Sequence, residues 1–180
     1  NPLSIRLFNE LYYRRVPATG RRRILPIRKF LYPLDALGHW NRIYGRHGFY
    51  QFQCVIPDRA AAAGITALLE AIARTRRGSF LAVMKTLGEG GRGHLSFPER
   101  GCTLAMDFPR STAVPKLLHE LERITLKHDG RVYLAKDALL SAAGFGAMYP
   151  RLGAFREVLE WVDPNRRLAS DMARRLRIRR

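Results

Sequence analysis

The stretch Phe49-Tyr50-Gln51-Phe52-Gln53-Cys54-Val55-Ile56-Pro57 decides the fold. It is dense in strand formers, its side chains alternate in character, and Pro57 cannot continue a ladder. Side chains in a strand point to opposite faces in turn. Gln51 and Gln53 therefore share one face, and Cys54 and Ile56 share the other. Asp58 follows as an N-cap candidate for a helix from Arg59 to Arg76, with Ile65, Leu68, Leu69 and Ile72 on one face and Gly78 at its end.

Working outward, Ser79–Lys85 reads as a second strand and Cys102–Phe108 as a third, joined by a Gly-rich connection. Ser111 or Thr112 caps a helix running to about Lys127, with Pro115 in its first turn. Asp129-Gly130 turns the chain into a fourth strand, Arg131–Ala135. Two short helices fit 141–148 and 151–162, and Asp163-Pro164 breaks them. The order strand, helix, strand, strand, helix, strand is the split βαβ, ferredoxin-like pattern. It predicts an α+β fold: an antiparallel sheet with helices packed on one face and the other face free for a ligand or another domain.

Upstream, residues 3–15 carry Leu3, Ile5, Leu7, Phe8, Leu11 and Tyr12 at helical spacing, ended by Pro17 and Gly20. Residues 1–28 thus divide off as a helix with a mobile, basic, proline-bearing connection, and 29–180 form the main domain. The chain opens on Asn1 inside a helical pattern, which reads as the interior of a longer polypeptide.

The chain has 180 residues, 47% of them hydrophobic, a globular composition with no apolar run near the roughly 20 residues that span a bilayer. Two cysteines, Cys54 and Cys102, point to a reducing, cytoplasmic setting and to small buried residues. The net charge of +17 brings nucleic acid to mind first. However, 27 of the 32 basic residues are arginine and most are scattered, as a GC-rich genome produces. The arginine-rich tail, 174–180, reads as a solvated end. The third strand also lacks the exposed stacking aromatics of an RNA-binding sheet, so no nucleic acid partner is expected. Basic residues 21–29 suit anionic lipid on the inner face of the membrane instead.

Few residues point to self-contained chemistry. The loop Gly88–Gly93 lacks the Lys-Ser/Thr end of a phosphate-binding loop and precedes a strand, so it reads as a flexible connection. The five histidines show no metal-ligand spacing, and no nucleophile elbow is present. Polar decoration of the strands is more informative. If the four strands pair, Gln51, Gln53, Lys85, Tyr133 and Lys136 can converge on one sheet face, beside Thr103 and Ala105. Amides, a phenol and ammoniums suit a polyhydroxylated or phosphorylated ligand, while a solvated sheet face with ordinary edge lysines has the same pattern.

An ordered set of segments carries a resemblance. It comprises Phe30–Asp35, Trp40–Gly45, Gln51-Phe52-Gln53, Leu95–Pro98, Asp107-Phe108-Pro109, Tyr133–Asp137, Met148–Arg151 and Ser170–Leu176. Together they resemble the C-terminal portion of FAD-linked oxidoreductases of the vanillyl-alcohol oxidase type, over nearly the whole chain. The resemblance implies that 29–180 is the substrate-binding (cap) domain of a two-domain enzyme. Its FAD would be held mainly by an N-terminal domain absent from this chain, and the isolated domain would have little activity. The implied reaction is hydride transfer to flavin from a secondary alcohol of a sugar or polyprenyl-phosphoryl sugar, with a reductase partner. On the same grounds Lys136 and Tyr133 match residues at the flavin and substrate. Gln51, Gln53, Leu81, Val83 and Lys85 match the substrate pocket. Thr103 and Ala105 occupy pocket positions where some members carry asparagine and cysteine.

Overall fold

In the computed structural model the structure describes residues 2–20, 22–32, 38–39, 42, 44–76, 79 and 81–179. In chain order the elements are α1 (Pro2–Tyr13), α2 (Ile27–Leu31), β1 (Phe49–Pro57), α3 (Ala61–Arg74), β2 (Ala82–Leu87), β3 (Gly101–Pro109), α4 (Val114–Lys127), β4 (Arg131–Val132), α5 (Ala142–Met148), α6 (Leu152–Val162) and α7 (Asp171–Arg175). The chain divides into two units, Asn1–Gly48 and Phe49–Arg180. The first contains α1 and α2. The second contains the sheet.

The sheet has four strands in the order β2-β3-β1-β4, antiparallel throughout. This is the expected split βαβ arrangement, with β1 and β3 central and β2 and β4 at the edges. Alternation decides what each face meets. Phe52, Cys54 and Ile56 of β1, and Leu104, Met106 and Phe108 of β3, enter a core closed by Ile65, Leu68 and Ile72 of α3 and Leu117, Leu118 and Leu121 of α4. Each such side chain stabilises the fold by about 1.5–3 kcal/mol when fully buried. Gly64 lets α3 approach: a Cβ there would stand 2.9 Å from Ile56 Cγ2 and 3.1 Å from His128 Cβ. Phe145 of α5 and Leu152 of α6 extend the core.

Several local expectations are corrected. Asp58 does not cap α3. It lies in a 3-10 turn, Asp58–Ala60, and accepts from Arg100 Nε at 3.2 Å. Leu69 is exposed rather than on the buried face of α3. Neither Ser111 nor Thr112 caps α4, which starts from Ala113 with Pro115 in its first turn. Ser79 lies before β2: its hydroxyl bonds Leu81 and accepts the Asp107 N–H at 3.0 Å, which ties the entrance to β2 against β3. Lys85 is consequently inside β2 and not at its end. The fourth strand is short because the chain turns into a 3-10 turn at Leu134–Lys136.

The C-terminal tail is the largest correction. It docks, with Leu176 and Ile178 in the core. Arg156 of α6 donates to the carbonyls of Ile178 and Arg177, both at 2.7 Å. Arg179 donates to the carbonyls of Leu159 and Asp163 at 3.0 and 3.1 Å and pairs with the Asp163 carboxylate at 3.0 Å. These arginines tie the tail to α6, through the carbonyls of Leu159 and Asp163 on one side and of Arg177 and Ile178 on the other.

Candidate functional site

The helices cover one face of the sheet, so the other carries the candidate site. Register sets its rows. Gln51 pairs with Asp107, Gln53 with Ala105, and Val55 with Thr103. Across the next strand, Ala105 pairs with Val83 and Thr103 with Lys85. On the other side, Val55 pairs with Arg131, and the Tyr133 N–H donates to Gln53 O at 2.8 Å, carrying the pairing one residue past β4. Paired residues share a face. One row therefore runs Tyr133, Gln53, Ala105, Val83, and the next runs Arg131, Val55, Thr103, Lys85. Leu81 precedes β2, and its carbonyl accepts from the Asp107 N–H at 3.4 Å. Lys136 lies in the turn after Tyr133 and lines a small crevice with Gln51, Phe52 and Val132 of the sheet and Leu118 and Glu122 of α4, so it sits beside the rows of the open face and not in them.

The two glutamines are held. Gln51 Nε2 donates to Asp107 Oδ1 at 3.1 Å, and Gln53 Nε2 donates to Thr103 Oγ1 at 3.1 Å. Thr103 is buried and its hydroxyl donates to Cys54 O at 2.8 Å, so it acts by fixing Gln53 rather than by reaching solvent. With one N–H of each amide engaged, each amide is fixed in orientation, and its Oε1 is positioned to accept a hydroxyl. Lys85 is exposed, and Val83, Ala105 and Tyr133 are half-buried.

The β2–β3 connection closes one end of this face and is pinned rather than loose. Gly91 N–H donates to Ser96 Oγ at 3.1 Å, and Arg131 donates to Ser96 O at 3.2 Å. Phe97 is buried and lies against Tyr133, ring centroids 4.5 Å apart. Arg131 pairs with Glu99 at 2.7 Å and lies 5.7 Å from the Tyr149 ring centroid. Burial raises the Tyr149 hydroxyl pKa, and that hydroxyl donates to Val132 O at 2.6 Å beneath the Tyr133 backbone.

The turn bearing Lys136 has its own support. Asp137 accepts from the N–H groups of Leu139 and Leu140 at 2.9 and 2.6 Å, and from Arg175 Nη2 at 2.7 Å. Arg175 Nη1 also donates to Leu140 O at 2.6 Å. Periodicity gives Asp107, Asp137, Phe97 and Arg175 no role; each belongs to one of the quoted segments, and only the folded partners disclose what it does.

The donor set suits one side of an FAD site. The face offers amide oxygens, a phenol and the Lys85 ammonium beside the apolar Val83 and Ala105, which fits one side of an isoalloxazine and a sugar. The Gly-rich connection leads into β3. Among the described residues no Gly-rich turn opens a long helix to hold a pyrophosphate. The fit is thus to a wall of a flavin site and not to the nucleotide. No group of three or more His, Cys, Asp and Glu residues that could hold a metal occurs among the described residues.

Comparison with known proteins agrees with this geometry. Residues 102–176 match the family model of D-arabinono-1,4-lactone oxidase. The chain is 39% identical, over 99% of its own length, to decaprenylphosphoryl-beta-D-ribose oxidase of Mycolicibacterium smegmatis, of which it spans 38%. It is 32% identical over 97% of its length to a Streptomyces coelicolor protein described as an uncharacterized protein in mprA 5'region, of which it spans 48%. By these matches the chain is similar to the C-terminal domain of FAD-linked oxidases, the family model covering less than half of its residues. The sequence similarity is to decaprenylphosphoryl-beta-D-ribose oxidase, and the chain spans less than half the length of either relative.

Proposed function

We propose that residues 29–180 form the substrate-side wall of an FAD-dependent oxidoreductase acting on a secondary alcohol of a sugar, borne on a polyprenyl phosphate. The observation that carries this reading is the row of Tyr133, Gln53, Ala105 and Val83 on the helix-free face, with Gln51 and Lys85 on neighbouring rows. The similarity to decaprenylphosphoryl-beta-D-ribose oxidase supports the substrate class.

FAD, when bound, supplies the hydride acceptor. The residues of this chain orient. Gln51 and Gln53, with their nitrogens committed to Asp107 and Thr103, accept sugar hydroxyls through Oε1. Such preorganisation places the reacting carbon without a rotamer search at the moment of reaction. Tyr133, braced by Phe97, directs its phenol into the same space, and Val83 and Ala105 exclude water beside it. Lys136 and Lys85 provide positive charge for a phosphate or for a reduced, anionic acceptor. The flavin would be held chiefly by a separate N-terminal domain, a separate electron acceptor would reoxidise it, and a reductase partner would reduce the keto product.

The test is the absorbance spectrum of the protein expressed from its complete reading frame. Flavin bands near ~370 and ~450 nm, bleached anaerobically by a polyprenyl-phosphoryl sugar, are expected. Lys136→Ala is expected to slow bleaching by about 10²-fold or more while the bands persist. A colourless protein that also rejects added FAD overturns the proposal.

A further inference from the structure

The first unit has a feature that no flavin chemistry requires. Leu3, Leu7 and Leu11 of α1 lie at i, i+4 spacing, with Phe8 and Tyr12 beside them, and all five are between 61% and 78% exposed. Phe8 and Tyr12 stack at 5.9 Å, making a continuous apolar strip. Beyond α1 the exposure continues through Ile24, Leu25, Ile27, Phe30, Leu31 and Tyr32. A water-facing apolar face of this extent marks an interaction surface.

Charge identifies the partner. The first 32 residues hold eight Lys and Arg against a single acid, Glu10. Glu10 is itself paired with Arg14 at 2.7 Å, and Arg15 lies over the Tyr12 ring at 5.4 Å. The remaining cations, among them Arg6, Arg22, Arg23, Arg28 and Lys29, have no acid in this segment to meet. A second copy would bring equal positive charge against them, and so would be repelled. An anionic lipid surface offers both complements at once: hydrocarbon for the leucine and aromatic strip, and headgroup phosphates for the arginines.

We infer that residues 2–32 form an in-plane anchor, with α1 lying in the headgroup region of an anionic bilayer and the 22–29 segment held to lipid phosphates. Two signals, an apolar face and a polybasic segment, are what reversible membrane attachment needs. No described helix is long and apolar enough to cross a membrane, so this contact is with one leaflet. The anchor stands independently of the oxidoreductase reading. If both hold, it brings the enzyme to the membrane in which a polyprenyl-borne sugar resides.

The experiment is flotation of the intact chain with phosphatidylcholine vesicles, with and without about one third phosphatidylglycerol. At least tenfold preference for anionic vesicles is expected, falling steeply as salt rises towards ~0.5 M. Leu7→Asp with Leu11→Asp, and separately Arg22→Glu with Arg23→Glu, should each cost about tenfold. Lys116→Glu with Lys127→Glu makes the same charge change on exposed positions of α4 and should cost far less. Circular dichroism should show all three variants folded. Equal binding to neutral and anionic vesicles, or none, overturns the inference. So does binding that survives the α1 change but responds equally to both charge changes, since that is attraction of the whole +17 protein. Concentration-dependent dimerisation abolished by Leu7→Asp, without vesicle binding, would assign the face to a second copy. None of these readouts depends on flavin.

Discussion

Thr103 is a hinge of polar contacts at the centre of the sheet. Its hydroxyl donates to Cys54 O and accepts from Gln53 Nε2, and the residue is only 1% exposed. Thr103→Val keeps the shape and removes both contacts, leaving two polar atoms without their partner at a cost of about 1–3 kcal/mol. Thermal unfolding should fall by roughly 4–8 °C for a loss near 2 kcal/mol, whereas Thr103→Ser should restore most of it. An unchanged Tm for Thr103→Val would show that water replaces the hydroxyl. Cys54, on the opposite face, is fully buried, and burial pushes its thiol up to about 12 despite hydrogen bonds that act the other way. Thiolate is the reactive form, so Cys54 should resist disulfide-exchange reagents at pH 8 in the native protein and react once urea unfolds it. Burial also raises the pKa of the half-buried Cys102 thiol, which should react slowly and first.

At the scale of elements, the C-terminal segment is the most informative. Asp163 accepts from the N–H groups of Arg167 and Leu168, each at 2.9 Å. Its carboxyl pKa is lowered chiefly by the Leu168 N–H, with Arg167 and Arg179 adding to that against an opposing effect of burial. A lowered folded-state pKa means that the unfolded chain binds the extra proton. This contribution to stability is therefore complete above the unfolded value of 3.8 and is lost as pH falls through the folded one. Urea midpoints should decline on acidification, and Asp163→Asn should lower the neutral-pH midpoint while flattening that decline. Equal acid slopes in both proteins would exclude Asp163 as a source of the decline. Arg175 clamps Asp137 and Leu140 from α7 and so holds the turn bearing Lys136. The central strands, α3, α4, α5 and α6 are legible in the sequence because alternation and helical periodicity act locally. The docked tail is not, because an arginine run has the same spelling whether its partners are water or the carbonyls of Leu140, Leu159 and Asp163. The same limit hides Asp58, which pairs with Arg100 from 42 residues away instead of capping its own helix. Of the site, the two-residue period announces that Gln51 and Gln53 share a face. Their anchors, Asp107 and Thr103, come from another strand and follow only from the register.

For the whole molecule, the distribution of the core predicts which end the fold depends on. Every residue of the main hydrophobic cluster lies within 49–180, and the cluster reaches Leu176 and Ile178. A chain beginning at Phe49 keeps the sheet, both covering helices and the docked tail. It should unfold in one transition within a few degrees of the intact chain. A chain ending at Val162 loses a smaller number of residues and far more stability. It gives up two buried aliphatic side chains, worth about 1.5–3 kcal/mol each if fully buried, and removes Arg175 from the buried Asp137 carboxylate. Depriving a buried charge of its partner costs up to about 3–5 kcal/mol, less here because Arg175 is partly exposed. The sum is comparable to the ~5–15 kcal/mol that holds a typical domain together. Near-ultraviolet circular dichroism and a urea titration distinguish the two truncations. Retained aromatic signal and a sharp transition are expected for 49–180, and a lost signal with a broad transition for 1–162. The reverse result would place the organising contacts in the first 48 residues. That would contradict the membership of the core, which lies wholly within 49–180.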